Sequence, residues 1–556
     1  MADIGNAKFK SDGIVDMVES ESSALLSAEK HRRLSSSSSQ YGAVDKEIPF
    51  RSDSGSEDEE YKRCEREIQD ALSNGDVAWT EEEEKAVRFK TDVRVMILAC
   101  VMFFSFDLDR SNLQQVVSSN FFFDTRMTGN DYNNGQSLFL ITFLFLEIPS
   151  QMLNKRFGPE RYLPFLMIVW GSVATIQVLI NGRAFFLFTR AALGITEAGF
   201  VSSLAFYVTS FYKTNELSVR FSWIWSTQAL QNAISALLAS AILQMTNVGT
   251  LKNWQWLFLF EGLLTFGLGV MTAFMIPSLK RPRIASSFTL REAAILRARV
   301  ELDDPTKKNQ ANKDVGKTHS ISNIFTTTFG AITDRYLFPI FLLGYIGYIP
   351  AVTMRYYFTI NMRYLDFSFT TINLLILPYV FINIVWTTTF SKMSDAYKVK
   401  WIFPILSAIW VFPNLLFLQF LSQNANRWFR FASWTWVLGY PYYQPILVSW
   451  VSANSNDPDR RALSQALYNI AVQLGNLTAA NVYREGDAPY YHKGNYVLLA
   501  LNILSMILAA VIKIYYTKEN NRRDRIWKQM TKFEQDDYIL HSEDKGNLRL
   551  DFRLKM

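Results

Sequence analysis

The stretch Arg190–Gly199, RAALGITEAG, lies inside a segment that is otherwise apolar from about Phe185 to Tyr212. That segment is long enough to cross a bilayer, because roughly 20 apolar residues span the hydrocarbon layer. Arg190 and Glu197 are close to two helical turns apart and therefore share one helix face, about 10 Å apart along the axis. A charge at that depth costs about 2.5–3.5 kcal/mol, so such residues normally face a protein interior or a wet cavity.

Two interpretations of this pair are open. Arg190 and Glu197 either form a buried ion pair that only fixes helix packing, or they belong to a substrate or proton site. The second interpretation is favoured because ionisable residues inside a membrane are usually functional. Gly194 and Gly199 are small, and small residues let a neighbouring helix approach closely.

Apolar segments recur along the whole chain of 556 residues, of which 49% are hydrophobic. Mean hydropathy is only +0.03, because polar residues are concentrated near the two ends and in a middle loop. Twelve segments are predicted to span a membrane, at about 93–117, 133–153, 162–180, 184–211, 218–246, 254–277, 336–360, 369–391, 399–421, 428–452, 461–483 and 495–516. Helices satisfy their own backbone polar groups, as a bilayer requires. The sequence therefore predicts an all-α membrane protein with twelve transmembrane helices in two pseudo-symmetric six-helix bundles.

The polar stretches divide the chain into five parts. We predict a disordered cytoplasmic N-terminal tail (1–90), a first six-helix bundle (91–277), a cytoplasmic linker with an amphipathic helix (278–335), a second bundle (336–517) and a cytoplasmic C-terminal tail (518–556). Thr80 with Glu83, and Thr289 with Glu292, have the spacing of a capping box and predict helix starts. The serine run Ser35–Ser39 follows two arginines and is a candidate phosphorylation site.

Charge and cysteine content narrow the class further. The net charge of +6 comes from basic residues clustered at particular span ends, which predicts that both termini are cytoplasmic. This pattern is not that of a nucleic-acid-binding protein. Cys64 and Cys100 are the only cysteines, so no disulfide framework is expected. The N-terminus has no short apolar core, so no cleavable signal peptide is expected. For the oligomeric state we expect a monomer.

The first span carries four polar residues in the run FDLDRSN, namely Asp107, Asp109, Arg110 and Asn112. Asp107 and Arg110 are three residues apart and can pair on one helix face. An arginine can also bind an anionic head group in a bidentate way, which lysine does less well. Arg110 is therefore either a substrate-binding residue or a packing residue that its own aspartates neutralise.

Polar side chains also follow helical spacing in later spans. Substrate contacts are predicted for Gln228 and Gln231 in span 5, Tyr442 and Gln444 in span 10, and Asn469 and Gln473 in span 11. Two prolines, Pro441 and Pro445, should kink span 10 and turn its neighbouring side chains towards a cavity. Arg355, close to the outer end of span 7, either reaches the membrane interface, which is favoured, or contacts the substrate.

Two basic loops occupy matching places in the two halves. Lys155 and Arg156 follow span 2, and Ser391–Lys400 (SKMSDAYKVK), which contains Asp395, follows span 8. This weak internal repeat is typical of two related six-helix halves. We predict that Lys155, Arg156 and Asp395 are gating residues whose contacts change between conformations.

Several motifs together resemble a known family. DLDRSN, EIPSQMLNKRFGPERYLP, RAALGITEAGF, WQWLFLFEG, DDPTK, WVSAN and DAPYYHKG resemble the major facilitator superfamily, and more closely its fungal allantoate permease group of anion:cation symporters. RFGPERYLP and KGNLRLDF favour the sulfonate and organosulfur branch. The resemblance covers roughly residues 80–550. It implies proton-coupled import of a small organic anion such as a carboxylate, a sulfonate or a vitamin.

The resemblance also implies residue roles. In more distant relatives, the sialic-acid and vesicular glutamate transporters, residues like Arg110 and Asn112 belong to a span-1 motif whose arginine contacts the substrate anion. Residues like Arg190 and Glu197 couple protons to transport. The usual first-loop aspartate of the superfamily is replaced by Asn154, which puts the gating contact of the first half in doubt.

The four histidines, His31, His319, His492 and His541, lie outside the predicted spans. Proton coupling must then use carboxylates, with Glu197 first and Asp107, Asp109 or Glu147 behind it. No nucleophile–base pair or metal-ligand cluster is found, so neither an enzyme nor a cofactor is expected. The predicted function is proton-coupled import across the plasma membrane. The alternatives are a non-transporting nutrient sensor of the same fold and an exporter of weak acids or drugs.

Overall fold

The computed structural model describes the parts of the chain in which the predicted spans lie. The described residues are 63, 66–68, 70, 78–116, 121–243, 251–277, 288–304, 333–367, 369–421, 425–456, 458–487, 490–542, 544 and 546–556. The tail serines and most of the linker lie outside these residues, so the predictions made for them are untested.

The described residues of the first half form a series of helices. These are α1 (Glu81–Thr91), α2 (Ile97–Val116), α3 (Phe121–Thr125), α4 (Gly129–Phe157), α5 (Pro159–Ile176), α6 (Arg183–Glu197), α7 (Phe200–Thr209), α8 (Leu217–Leu243) and α9 (Asn253–Met275). A π-helical turn, Asp92–Met96, joins α1 to α2. The linker contributes α10 (Leu290–Asp303).

The second half repeats this pattern of long helices. Its described helices are α11 (Phe338–Tyr364), α12 (Phe369–Tyr397), α13 (Ile402–Phe420), α14 (Arg427–Leu438), α15 (Gln444–Ser455), α16 (Pro458–Ala479), α17 (His492–Gln529) and α18 (Lys532–His541). Each of the twelve predicted spans coincides with one helix or with two consecutive helices. Within the described residues, eight of these segments are long and apolar enough to cross a membrane by length and composition.

Two spans are broken near their middle. The fourth span is divided into α6 and α7 at Ala198 and Gly199, and the tenth into α14 and α15. The second break falls at the predicted place, because α14 ends at Leu438 and Pro445 lies in the first turn of α15. Breaks of this kind are tolerated at membrane depth only where the freed backbone groups find partners inside the protein.

The helix contacts support the predicted pseudo-symmetry. In the first half α2 packs against α8 and α9, and α5 packs against α9. In the second half the helices six spans later make the same pairs, α11 with α16 and α17, and α13 with α17. The halves meet through α8 with α12 and through α4 and α7 with α16. The part of the chain that the structure describes thus forms two similar helical halves.

Small residues make the tightest contact in the first half possible. A Cβ atom at Gly262 of α9 would lie 2.5 Å from the backbone nitrogen of Thr175 in α5, and one at Gly171 would lie 2.7 Å from that of Phe266. Backbone therefore packs on backbone between α5 and α9, as small residues allow in membrane helices.

Both predicted capping boxes are confirmed, Thr80 with Glu83 at the start of α1 and Thr289 with Glu292 at the start of α10.

The linker helix α10 is fixed to the first half by ion pairs. Arg299, which is fully buried, lies 2.5 Å from the Glu216 carboxylate. The Arg291 guanidinium contacts Glu83 at 3.0 Å and holds the pKa of that carboxyl below its usual value. These contacts anchor α10 to α1 and to the loop between α7 and α8.

Candidate functional site

A cavity of about 870 Å³ lies between the two halves and receives side chains from both. It reaches the ends of helices at one end of the bundle, where Gln115, Tyr132 and Arg363 line it. We call this the open end. At the opposite end, Lys400 of the second half donates to Ser218 of the first half at 3.0 Å. We call this the closed end.

Most of the predicted site residues lie along this cavity. The predicted residues that line it are Asp107, Arg110, Arg190, Gln228, Gln231, Tyr442, Gln444, Asn469 and Gln473. They come from α2, α6 and α8 of the first half and from α15, α16 and the loop before α15 in the second. The structure thus brings together side chains up to 366 positions apart in the sequence, although their roles stay predictions.

Two predicted residues on α2 point elsewhere. Asn112 is 2% exposed and Asp109 is 4% exposed, and neither lines the cavity. The Oδ2 atom of Asp109 instead accepts a hydrogen bond from Trp170 of α5 at 2.9 Å. Asn112 follows Arg110 by about 200° around the helix, so both cannot face one cavity. The predicted substrate contact of Asn112 therefore does not match its position. The proton-coupling role predicted for Asp109 stays a prediction for a residue that lies outside the cavity lining.

Arg110 forms the central ion pair of the site. Its Nε atom donates to the Glu197 carboxylate at 2.8 Å, and its guanidinium lies 4.1 Å from the ring centre of Phe106 and 4.8 Å from that of Phe143. Glu197 is nearly buried, with 2% of its side chain exposed, whereas 22% of the Arg110 side chain is exposed. The cation faces the cavity and the acid lies behind it.

Both ion pairs predicted from spacing along one helix are wrong. Arg190 donates to Gln136 at 2.9 Å, and Asp107 accepts from Gln228 at 3.1 Å. Because Arg190 and Glu197 are about 10 Å apart along their axis, an arginine from the adjacent helix α2 reaches Glu197 more easily. Arg110 is then not available to Asp107.

Arg355 is a cavity residue for which the less favoured of the two sequence interpretations fits the structure. Its side chain does not reach the membrane interface but lines the central cavity and a side pocket of about 50 Å³. Tyr348, Tyr379 and Tyr442 surround it there. The structure gives it no hydrogen bond or ion pair with any residue that it describes. Its spacing of seven from Tyr348 was the available signal, since residues seven apart share a helix face.

A helix break positions Glu197 at the end of α6. Gly199 has a φ of +76°, the left-handed region in which residues with a Cβ are strained. A Cβ atom at this position would also lie 2.1 Å from Ser150 Oγ. The motif Glu-Ala-Gly therefore ends one helix, turns the chain and starts the next beside the cavity.

The closed end contains the predicted gating residue Asp395. Its Oδ2 atom accepts from the backbone nitrogen of Val219 at 2.9 Å, in the first turn of α8, where a helix favours negative charge. Lys400 also donates to Ser449 at 2.8 Å. The matching residue of the first half, Asn154, donates to Gln151 of its own helix. Asp395 thus connects the second half to the first, whereas its counterpart Asn154 makes this hydrogen bond within its own helix.

The other predicted gating residues lie on the last turn of α4. Arg156 is exposed, and its guanidinium lies 5.8 Å from the ring centre of Phe157. Lys155 is half-buried. Among the described residues, no group of three or more His, Cys, Asp or Glu side chains is arranged to hold a metal ion.

Comparison with known proteins agrees with this architecture. Residues 99–480 match the family model described as Major Facilitator Superfamily. The chain is 33% identical to the uncharacterized transporter YIL166C of Saccharomyces cerevisiae, over 85% of this chain and 88% of that protein. It is 27% identical to the major facilitator-type transporter hxnP of Emericella nidulans, over 80% and 88%.

Solved structures share the fold at low identity. The Escherichia coli fucose:proton symporter FucP superposes with a TM-score of 0.53 at 10% identity, covering 75% of this chain and 98% of that one. The human organic anion transporter MFSD10 gives 0.51 at 14% identity, covering 75% and 99%. The family model over residues 99–480 and the 33% identical yeast relative show that the chain belongs to the Major Facilitator Superfamily and is a multi-pass membrane transporter.

Proposed function

We propose that this transporter imports a small organic anion together with protons. The observation that carries the proposal is the pair of arginines in the cavity, Arg110 from the first half and Arg355 from the second. A substrate held by one cation from each half would contact both moving parts of the molecule. Binding would then favour the conformations in which the halves close around it.

The charge balance of the cavity favours an anion. Among the described residues, four arginines line it, Arg110, Arg190, Arg355 and Arg363, against one lining acid, Asp107. Glu197 adds a second negative charge through its contact with Arg110. With Arg363 left out of the balance, the other three arginines still exceed these two acids by one charge when both acids are ionised. A wet cavity of one sign concentrates ligands of the other sign.

Glu197 supplies the link to protons. Its carboxylate forms an ion pair with the guanidinium of Arg110 and would therefore compete with a substrate anion for the same cation. A proton on Glu197 would remove that negative charge and release Arg110 for the substrate. Proton and anion therefore bind better together than separately, which is the thermodynamic requirement of a symporter.

The finer assignments rest on the sequence resemblance. We place the chain in the allantoate permease group, with the sulfonate and organosulfur branch favoured, and in the plasma membrane with both termini in the cytoplasm. In that orientation the open end of the cavity faces outwards, which suits uptake from the medium. The other lining residues, Gln228, Gln231, Tyr442, Gln444, Asn469 and Gln473, would recognise the remainder of the substrate.

Uptake into proteoliposomes tests the proposal. The purified full-length protein would be reconstituted and given an inward proton gradient, with labelled carboxylates, sulfonates and vitamins offered singly. We expect one of these classes to accumulate above its outside concentration and to leave again when a proton ionophore is added. Alanine at Arg110 should abolish this accumulation.

Other outcomes would contradict the proposal. Accumulation that ignores the ionophore would exclude proton coupling, and accumulation of neutral solutes alone would exclude the anion site. A protein that binds an anion without accumulating it would be a sensor instead. Accumulation driven only by an outward gradient would indicate an exporter.

A further inference from the structure

The carboxylate of Glu147 joins the two halves of the molecule beside the cavity. Glu147 lies on α4 and is fully buried. Its Oε2 atom accepts the backbone N–H of Gly199 at 2.7 Å. Its Oε1 atom accepts the hydroxyl of Ser202 at 2.5 Å and the side-chain amide of Asn469 at 3.1 Å. Gly199 and Ser202 belong to the first half, whereas Asn469 lies on α16 of the second half.

These contacts suit the ionised form of Glu147. All three neighbours donate, and an ionised carboxylate only accepts. The N–H of Gly199 also lies at the start of α7, where the helix dipole favours a negative charge. The helix break at Gly199 follows Glu197 by two residues. It also frees the Gly199 N–H that donates to Glu147.

The charged and titratable groups around Glu147 do not take over the hydrogen bonds that Gly199, Ser202 and Asn469 donate to its carboxylate. Arg110 of α2 and Tyr162 of α5 act on Glu147 electrostatically, and Glu197 of α6 lies two residues before Gly199. Asn469, the residue of α16 that contacts Glu147, is uncharged. Arg110 itself donates to Glu197, so the ionised carboxylate of Glu147 depends on its hydrogen bonds.

A proton on Glu147 would weaken this arrangement, because it removes the negative charge that strengthens all three hydrogen bonds and turns one accepting oxygen into a donor. The N–H of Gly199 is fixed by the backbone. The hydroxyl of Ser202 can turn towards the Gly199 carbonyl, which is 3.3 Å away. Of the three donors to Glu147, the amide of Asn469 is the one that comes from the second half, so its weakened bond is the one that breaks when the halves separate.

We propose that Glu147 is a proton-binding site that controls the contact between the halves beside the cavity. In the ionised form it holds Asn469 and keeps the closed end shut. One proton added from the cavity, which both Ser202 and Asn469 line, releases Asn469 and lets the halves part. This inference extends the proton-coupled cycle proposed above and rests on it.

Distance measurements between spin labels test this inference. Labels would be attached to cysteines at Phe157, at the end of α4, and at Tyr397, at the end of α12, which are 47% and 69% exposed. The full-length chain would carry serine at Cys64 and Cys100. We expect one short distance at pH 8 and a growing longer-distance population as the pH falls. E147Q should show the longer distance at both pH values.

Two further variants separate the switch from a general loss of structure. N469A keeps the carboxylate but removes the donor of the second half, so it should show the longer distance and lose the pH response. S202A removes a donor of the first half and leaves the Asn469 contact, so it should keep the short distance at pH 8.

Either of two results would overturn the inference, namely a short distance in N469A at pH 8 or a wild-type distance that does not change with pH. No substrate is present in this measurement. Its failure would therefore leave the anion site untouched, and a failure to find a transported anion would not alter the measured distances.

Discussion

Arg355 offers the sharpest test of the anion site. The change to glutamine removes the positive charge but keeps a polar side chain of moderate length in the cavity. Because Arg355 has no ion-pair partner among the described residues, its removal leaves no buried acid unpaired. The variant should therefore fold, and its defect should appear in substrate binding.

The size of the defect follows from the contact that is lost. A hydrogen bond to a charged group contributes about 1.5–3 kcal/mol, and each 1.4 kcal/mol changes an equilibrium constant about tenfold. We therefore expect Arg355→Gln to raise the KM for the transported anion by about 10- to 150-fold. Arg355→Lys keeps the charge but loses the planar guanidinium, which binds carboxylates in a bidentate way. The KM of this variant should therefore lie between that of the wild type and that of Arg355→Gln.

Initial rates of uptake into proteoliposomes measure this effect. Each variant would be assayed over a range of anion concentrations at one fixed proton gradient. Arg183→Gln is the matched control. Arg183 is also an arginine near the open end, but its side chain is 63% exposed and pairs with Asp131 at 3.1 Å. Because Arg183 does not line the cavity, the KM of this variant should stay near that of the wild type.

A wild-type KM in a correctly folded Arg355→Gln protein would refute the reasoning. The same conclusion would follow if Arg183→Gln raised the KM as strongly, because the effect would then reflect the general field of the open end. A fall in maximal rate with no change in KM would indicate that Arg355 acts in a conformational step and not in substrate binding.

Three further changes test other parts of the argument. Glu197→Gln should leave anion exchange active but abolish accumulation and its pH dependence, since Arg110 loses its titratable competitor; retained uphill uptake would contradict this. Gly199→Ala should lower the melting temperature of the purified protein, because a left-handed alanine costs about 1–2 kcal/mol and its Cβ would clash with Ser150. Asp304→Asn removes the charge from a 2.6 Å ion pair in which Arg461 is 1% exposed and Asp304 is 17% exposed, and a hydrogen bond to a charged group contributes about 1.5–3 kcal/mol. Its melting temperature should fall well below that of Arg291→Gln, whose exposed pair is worth at most about 1 kcal/mol; equal melting temperatures would contradict this reading.

The sequence was sufficient for the helices and for the fold. Apolar runs of about 20 residues with polar boundaries predict spanning helices through length and hydropathy alone, and every predicted span coincides with helix. The two capping boxes and the break before Pro445 were equally local. Such features depend on residues within a few positions of each other, which a sequence displays directly.

The contacts of the site could not be predicted in this way. Spacing indicates which residues share a helix face, but not which neighbouring helix that face meets. Arg190 and Glu197 share a face as predicted, yet the acid pairs with Arg110, 87 positions earlier. Asn112 could have been placed correctly, because 200° of rotation from Arg110 already turns it away. For Arg355 the membrane interface was favoured over a substrate contact because the residue lies close to the outer end of its predicted span.

The helix break in the fourth span brings two acids, Glu197 and Glu147, to the same point of the chain. Glu197 ends α6 on the cavity side, where Arg110, the proposed substrate-binding cation, is its partner. Glu147 meets the start of α7, where the freed N–H of Gly199 and the amide of Asn469 are its partners. An unbroken helix would satisfy that N–H internally and would leave Glu147 without its main-chain donor. With the roles proposed above, the same glycine would give one acid access to the substrate and the other a contact with the opposite half. Substrate binding and gate opening would then meet at one helix break.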